Sequence, residues 1–236
     1  NIVNFKEHPI ISSDKYINKC HDRLINESIL LLENFLCSNA IKELQKEAAH
    51  LQSKAYYCSQ YHTILLNKKD RSIDKNDPCN IEVKSDKGCV PHDLIPTESI
   101  LNKLYSSVYF KKFIIKVLNI KNIYPYKDKL SSINYNYYEK SQQLGWHFDN
   151  ASFAITLMIN SSNKGGVFQY FSKGRNFEKN YINKKLLMNV LKGKEKTKEL
   201  KVDPGTLILF YGRNYLHRVT PVKSKQGRIL VTLNYN

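Results

Sequence analysis

Leu144-Gly145-Trp146-His147-Phe148-Asp149 sets a histidine and a carboxylate two residues apart among apolar and aromatic neighbours. Successive side chains of a strand point to opposite sides, so in a strand His147 and Asp149 share one side and Phe148 takes the other. A second histidine, His217, follows in Leu216-His217-Arg218-Val219, and Arg228 opens the last apolar run, 228–235. That run alternates. Arg228, Leu230, Thr232 and Asn234 form a face suited to a polar interior, and Ile229, Val231, Leu233 and Tyr235 form one suited to packing against helices.

Two imidazoles and one carboxylate on one face of a metal, with the opposite positions open, suit a non-haem iron(II) centre. A closed four-ligand set would instead be structural. Open positions admit a 2-oxo acid through its keto oxygen and adjacent carboxylate, and also O2. The planar fork of an arginine grips a distal carboxylate bidentately. His147, Asp149 and His217 are therefore the candidate catalytic residues and metal ligands. Arg228 is the candidate anchor, and Fe(II), 2-oxoglutarate as co-substrate and O2 are the implied cofactors. A lone His-x-Asp arises by chance in chains of this length. Here the order of the elements and the strand context single it out.

Working outward, 133–138, 153–159, 167–171 and 206–211 read as strands, with Asn163 to Gly166 and Asp203-Pro204-Gly205 as turns. Asn134, Asn136 and Tyr138 share a face. Upstream, 28–32 and 61–66 read as strands, and Ser38 reads as the cap of a helix carrying Ile41, Leu44, Ala48 and Leu51. Two more helical stripes follow, Leu101, Leu104 and Tyr105, then Phe110, Phe113, Ile114 and Val117. The polar stretch 68–89 reads as a loop. Residues 181–191 have helical spacing and a heavy lysine load, either as a lid over the metal or as a solvated excursion. The fold class expected is α+β: a double-stranded β-helix, or jelly roll, buttressed by N-terminal helices. It is read as one domain over 1–236. Residues 1–125 are mostly helical support with early strands, and 126–236 form the β-helix core with a Lys-rich insertion near 172–202.

A chain of 236 residues with 42% hydrophobic content suits one well-cored domain. No apolar run approaches the ~20 residues needed to span a membrane, and no basic segment followed by an apolar core opens the chain. Cysteines 20, 37, 58, 79 and 89 are odd in number and lack any Cys-x-x-Cys spacing. That excludes a disulfide scaffold or zinc ribbon and points to a reducing, cytoplasmic compartment. The net charge of +16 invites a nucleic-acid reading, but only six of the 37 basic residues are arginine and no recognition motif accompanies them.

Asn136-x-Tyr138, Leu144 to Asn150, Gly165-Gly166, Pro204-Gly205-Thr206 and His217 to Val222 together resemble the iron(II)/2-oxoglutarate-dependent oxygenases. With Ile95-Pro96, Leu104-Tyr105, Tyr124-Pro125-Tyr126 and Gly212-Arg213-Asn214, the closer resemblance is to one branch. That branch holds radical halogenases and hydroxylases of free amino acids such as lysine. The resemblance covers roughly 85–236. In the halogenases of that branch a glycine replaces the carboxylate ligand, so that chloride can bind. Asp149 stands there in this chain, and the resemblance therefore implies hydroxylation, with 2-oxoglutarate leaving as succinate and CO2. It also implies co-substrate or substrate contacts by Asn136, Tyr138 and Thr220, and a small-molecule partner, a free and basic amino acid. Arg71, Asp93, Asp128, Glu139 and His62 are further polar groups available to a substrate. The competing readings are a nucleic-acid or protein hydroxylase or demethylase of the same superfamily, or a non-catalytic binding module on this fold.

Overall fold

A computed structural model describes residues 1–236. In chain order the elements are α1 (Asp14–Glu27), β1 (Ile29–Leu32), α2 (Ser38–Leu51), β2 (Tyr56–Thr63), β3 (Glu82–Pro91), α3 (Ile100–Ser106) and α4 (Val108–Leu118). Then come β4 (Ile133–Tyr138), β5 (Leu144–His147), β6 (Ala154–Asn160), β7 (Phe168–Phe171), β8 (Arg175–Asn176), β9 (Tyr181–Ile182) and α5 (Lys184–Leu191). The last are β10 (Lys198–Leu200), β11 (Leu207–Phe210), β12 (Leu216–Val219) and β13 (Arg228–Leu233).

The strands build a seven-stranded sheet, β1-β11-β6-β13-β4-β3-β2, and a four-stranded sheet, β10-β7-β12-β5, with β8-β9 as a separate hairpin. Side-chain alternation divides the interior into three apolar layers. Val231, Leu233 and Tyr235 of the last run pack outward with Leu44, Phe113 and Leu24 of the helices, while Leu230 turns inward to meet Met158, Tyr170 and Phe210 between the sheets. Fully burying one such side chain contributes roughly 1.5–3 kcal/mol, so the two faces of β13 fix its register strongly. The α+β double-stranded β-helix expected from the sequence is the architecture found. No helix is long and apolar enough to cross a membrane.

Four local expectations change. Ser38 is the first helical residue, and Cys37 holds the cap position without a side-chain bond. The strand expected at 61–66 lies earlier, at β2, and residues beyond Thr63 turn back, with the Thr63 N–H donating to the Asn67 carbonyl. The stretch 68–89 is not all loop, because β3 runs through its second half between β2 and β4. Its inward Ser85 and Lys87 meet polar groups, so no apolar alternation marks it. Finally, α5 is neither lid nor solvated excursion. Leu187 and Val190 pack with Trp146, Phe148, Phe171 and Leu216 on the outer side of the four-stranded sheet. The aromatic residues flanking His147 need a cover on the side away from the ligands, and α5 supplies it.

Candidate metal centre

His147 ends β5 and His217 lies in β12, and the two are direct partners across the antiparallel pair. Pairing becomes irregular between His217 and Val219, a bulge of the kind that re-aims side chains. Asp149 follows just past β5, with its backbone N–H donating to the Gly212 carbonyl at 3.0 Å. Its Oδ1 lies 3.4 Å from Nε2 of both His147 and His217. The three ligand atoms all lie within 4.8 Å of one another. An octahedral centre with bonds near ~2.1 Å spaces adjacent ligands by ~3 Å, so this set fits a facial triad.

Each imidazole is held in the tautomer a metal needs. His147 Nδ1 donates to the Gly145 carbonyl at 2.8 Å and His217 Nδ1 to the Tyr215 carbonyl at 2.9 Å. A carbonyl only accepts, so each Nδ1 carries a proton, and in the neutral ring the Nε2 lone pair is the one left to face a metal. Burial, and then the neighbouring His217, hold His147 below the ordinary imidazole value. Burial pushes Asp149 up, but His217 and His147 outweigh it and leave the carboxyl well below the usual range. Neutral imidazoles and an ionised carboxylate are the forms that bind iron(II).

Gly212 makes room for the carboxylate. A Cβ there would stand 1.7 Å from Asp149 Oδ2 and 2.5 Å from its Cγ. Gly212→Ala is therefore expected to displace the carboxylate and weaken metal binding at least about 10-fold, as loss of support around a ligand does. Titration with Mn(II) checks it, and unchanged affinity would show that the ligand has other room.

Arg228 is buried at the start of β13, opposite Tyr138 in the register, with its guanidinium 5.4 Å from that ring's centre. Its Nη1 has no hydrogen-bond partner in the protein. Burial works against its charged form, and a buried charge without a partner is costly. A cavity of about 340 Å³ runs from Arg228 along Gly166, Val167 and Phe168. The ligands do not line it, but its wall Phe168 lies 5.6 Å from His217, ring to ring. A guanidinium without a counter-ion beside an open cavity suits a carboxylate ligand.

The structure thus brings His147, Asp149 and His217 together and sets Arg228 on the wall of the interior. The other expected contacts are partly committed. Asn136 accepts from Lys87 Nζ and donates to the Asn134 carbonyl. Thr220 Oγ1 accepts from the Val167 N–H. Tyr138 is fully buried beside Arg228. Arg71, Asp93, Asp128 and Glu139 are exposed, and Glu139 is tied up by Tyr57 and Gln52. His62 is buried with both ring nitrogens bonded. Lys87, which bonds Asn136, carries no signal in the sequence because its strand β3 reads as loop. It missed the role of Gly212 because a close approach of side chain to backbone leaves only a glycine as its trace.

A family profile described as Halogenase D (HalD) matches residues 12–236. A search of curated proteins finds no match. Among solved structures the chain is similar to an oxidoreductase of the 2OG-Fe(II) oxygenase family from Burkholderia pseudomallei. The identity is 13% and the TM-score 0.58, over 95% of this chain and 92% of that one. It is also similar to a Pseudomonas putida prolyl-4-hydroxylase, at 12% identity and a TM-score of 0.56, over 92% and 96% of the two chains. A third similar structure is the non-heme alpha ketoglutarate dependent epimerase SnoN from nogalamycin biosynthesis. There the identity is 7% and the TM-score 0.63, over 93% and 80%. The profile spans nearly the whole sequence, so the chain belongs to the Halogenase D family, and its fold is that of the 2OG-Fe(II) oxygenases.

Proposed function

We propose that the protein is an iron(II)- and 2-oxoglutarate-dependent dioxygenase that hydroxylates an unactivated C–H bond of a small free amino acid, a basic one such as lysine. The observation that carries hydroxylation is Asp149, whose carboxylate reaches both histidines at 3.4 Å. The family is named for a halogenase, yet on a six-coordinate metal three protein ligands would leave positions only for a bidentate 2-oxo acid and O2. No position then remains for chloride. The substrate class rests on the resemblance of Ile95-Pro96, Leu104-Tyr105, Tyr124-Pro125-Tyr126 and Gly212-Arg213-Asn214 to the amino acid branch.

Iron(II) with 2-oxoglutarate and O2 supplies the oxidising power. One oxygen atom ends in succinate, released with CO2, and the other in the substrate hydroxyl. The chain's own residues do the rest. His147, Asp149 and His217 would hold the metal. Arg228 would pair with the far carboxylate of 2-oxoglutarate, an anion that its buried guanidinium lacks within the protein. Tyr138 stands beside that guanidinium, Thr220 is a proposed neighbour of the co-substrate, and the cation of Lys87, held by Asn136, is the proposed contact for a carboxylate on the substrate. Apolar side chains around Phe168 and Phe210 keep water from the reacting centre. All five cysteines are unpaired, which fits a reducing cytoplasm.

The test is succinate release by iron-loaded protein across the free amino acids. Stimulation by one or a few, with a product heavier by one oxygen atom, supports the reading. A chlorinated product would overturn hydroxylation. Slow uncoupled turnover with no amino acid stimulating would overturn the substrate class and turn the search to peptides and nucleic acids.

A further inference from the structure

His62 and Ser85 are buried, hydrogen-bonded to each other, and unused by the chemistry above. Strand β2 is exposed along Tyr56 to Tyr61 and turns inward only at His62 and Thr63. His62 Nδ1 donates to the Thr63 carbonyl at 2.8 Å, which fixes the tautomer and leaves Nε2 as an acceptor. Ser85 Oγ donates to that Nε2 at 2.6 Å. The same oxygen accepts the Gly145 N–H at 2.9 Å. The Gly145 carbonyl in turn accepts from Nδ1 of the ligand His147. From the other side, the Ile64 carbonyl accepts the N–H of Phe148, the residue between the two ligands of the motif. The His62 ring stands edge-on to His147, with centres 6.2 Å apart. A Cβ on Gly145 would stand 2.7 Å from the Lys84 carbonyl, so β5 lies hard against β3.

We propose that His62 and Ser85 are positioning residues for the metal centre, setting the backbone at Gly145 and through it the orientation of His147. Three polar groups buried this close to an apolar layer are costly unless each bond is made. Here each is made, and the chain of bonds ends on a ligand. A group that merely filled space would satisfy the packing with an apolar side chain. Outer partners that orient a metal-binding histidine typically contribute 10–100-fold in affinity.

The inference rests on the metal-centre reading, and the experiment separates the two. Mn(II) affinity is measured by titration for the parent protein, Ser85→Ala, His62→Ala and the double variant, with thermal unfolding of each in chelator. The expected result is a loss of about 10-fold or more in each single variant, with the double variant no weaker than the worse single one, because both substitutions break one chain of bonds. His62→Gln can place its amide oxygen where Nε2 accepts from Ser85, and it is expected to recover most of the affinity. A parent that binds no Mn(II) would overturn the metal centre itself. A parent that binds, with Ser85→Ala and His62→Ala unchanged in affinity or additive in the double variant, would overturn the positioning role. If His62→Ala does not fold, Ser85→Ala removes a single oxygen and decides the question alone.

Discussion

Asp149→Gly is expected to lower the proposed hydroxylation at least about 100-fold, the upper end of what losing an outer partner of a ligand already costs. The variant loses one of three ligands and the carboxylate that both Nε2 atoms face. The space beside Gly212 that the carboxylate fills, where a Cβ would stand 1.7 Å from Oδ2, empties as well. The freed position can take a halide. The measurement is product mass with chloride or bromide present, alongside succinate release. Succinate formation with little hydroxylated product, and a halide-dependent product or spectrum, is the expected pattern. Full hydroxylase activity in this variant would contradict the ligand assignment.

The second large effect belongs to Arg228→Met, and it has two signs. Truncating one side of a buried, hydrogen-bonded charge pair costs about 2–5 kcal/mol, so the 2-oxoglutarate requirement should rise roughly 30-fold to several thousand-fold. Without 2-oxoglutarate the same change should leave stability unchanged or improved. Methionine has no unpaired charge, whereas Arg228 Nη1 is buried without a partner. Thermal unfolding with and without 2-oxoglutarate reads both at once. The parent should be stabilised by the co-substrate and the variant should not. A variant that loses stability alone while keeping its 2-oxoglutarate response would assign Arg228 to packing.

These expectations were legible in the sequence to different degrees. Strands with one apolar face declare themselves by alternation, as β13 does, and the ligands stand out because His147 and His217 lie in such strands. Strand β3 was not legible. Its inward residues answer polar partners, Ser85 to His62 and Lys87 to Asn136, so nothing in its own composition distinguishes it from loop. The helix α5 was legible as a helix but not as a cover, because its partners, Trp146 and Phe148, were known only for the residues they flank. Arg228 was legible by type and place, and what the structure adds is its missing counter-ion.

The pairing of His147 with His217 has a further consequence for the chain as a polymer. A metal gripped by both side chains ties β5 to β12 and closes a loop holding the whole Lys-rich excursion. The entropy of closing a loop grows only with the logarithm of its length, and ligation that occurs only in the folded chain adds directly to its stability. The centre is therefore also a reversible cross-link. A protease nick within 192–197, beyond α5, would leave two fragments held by the pairing of β10–β13 with the earlier strands and, with metal bound, through the ion as well, so a chelator should lower the temperature at which they part.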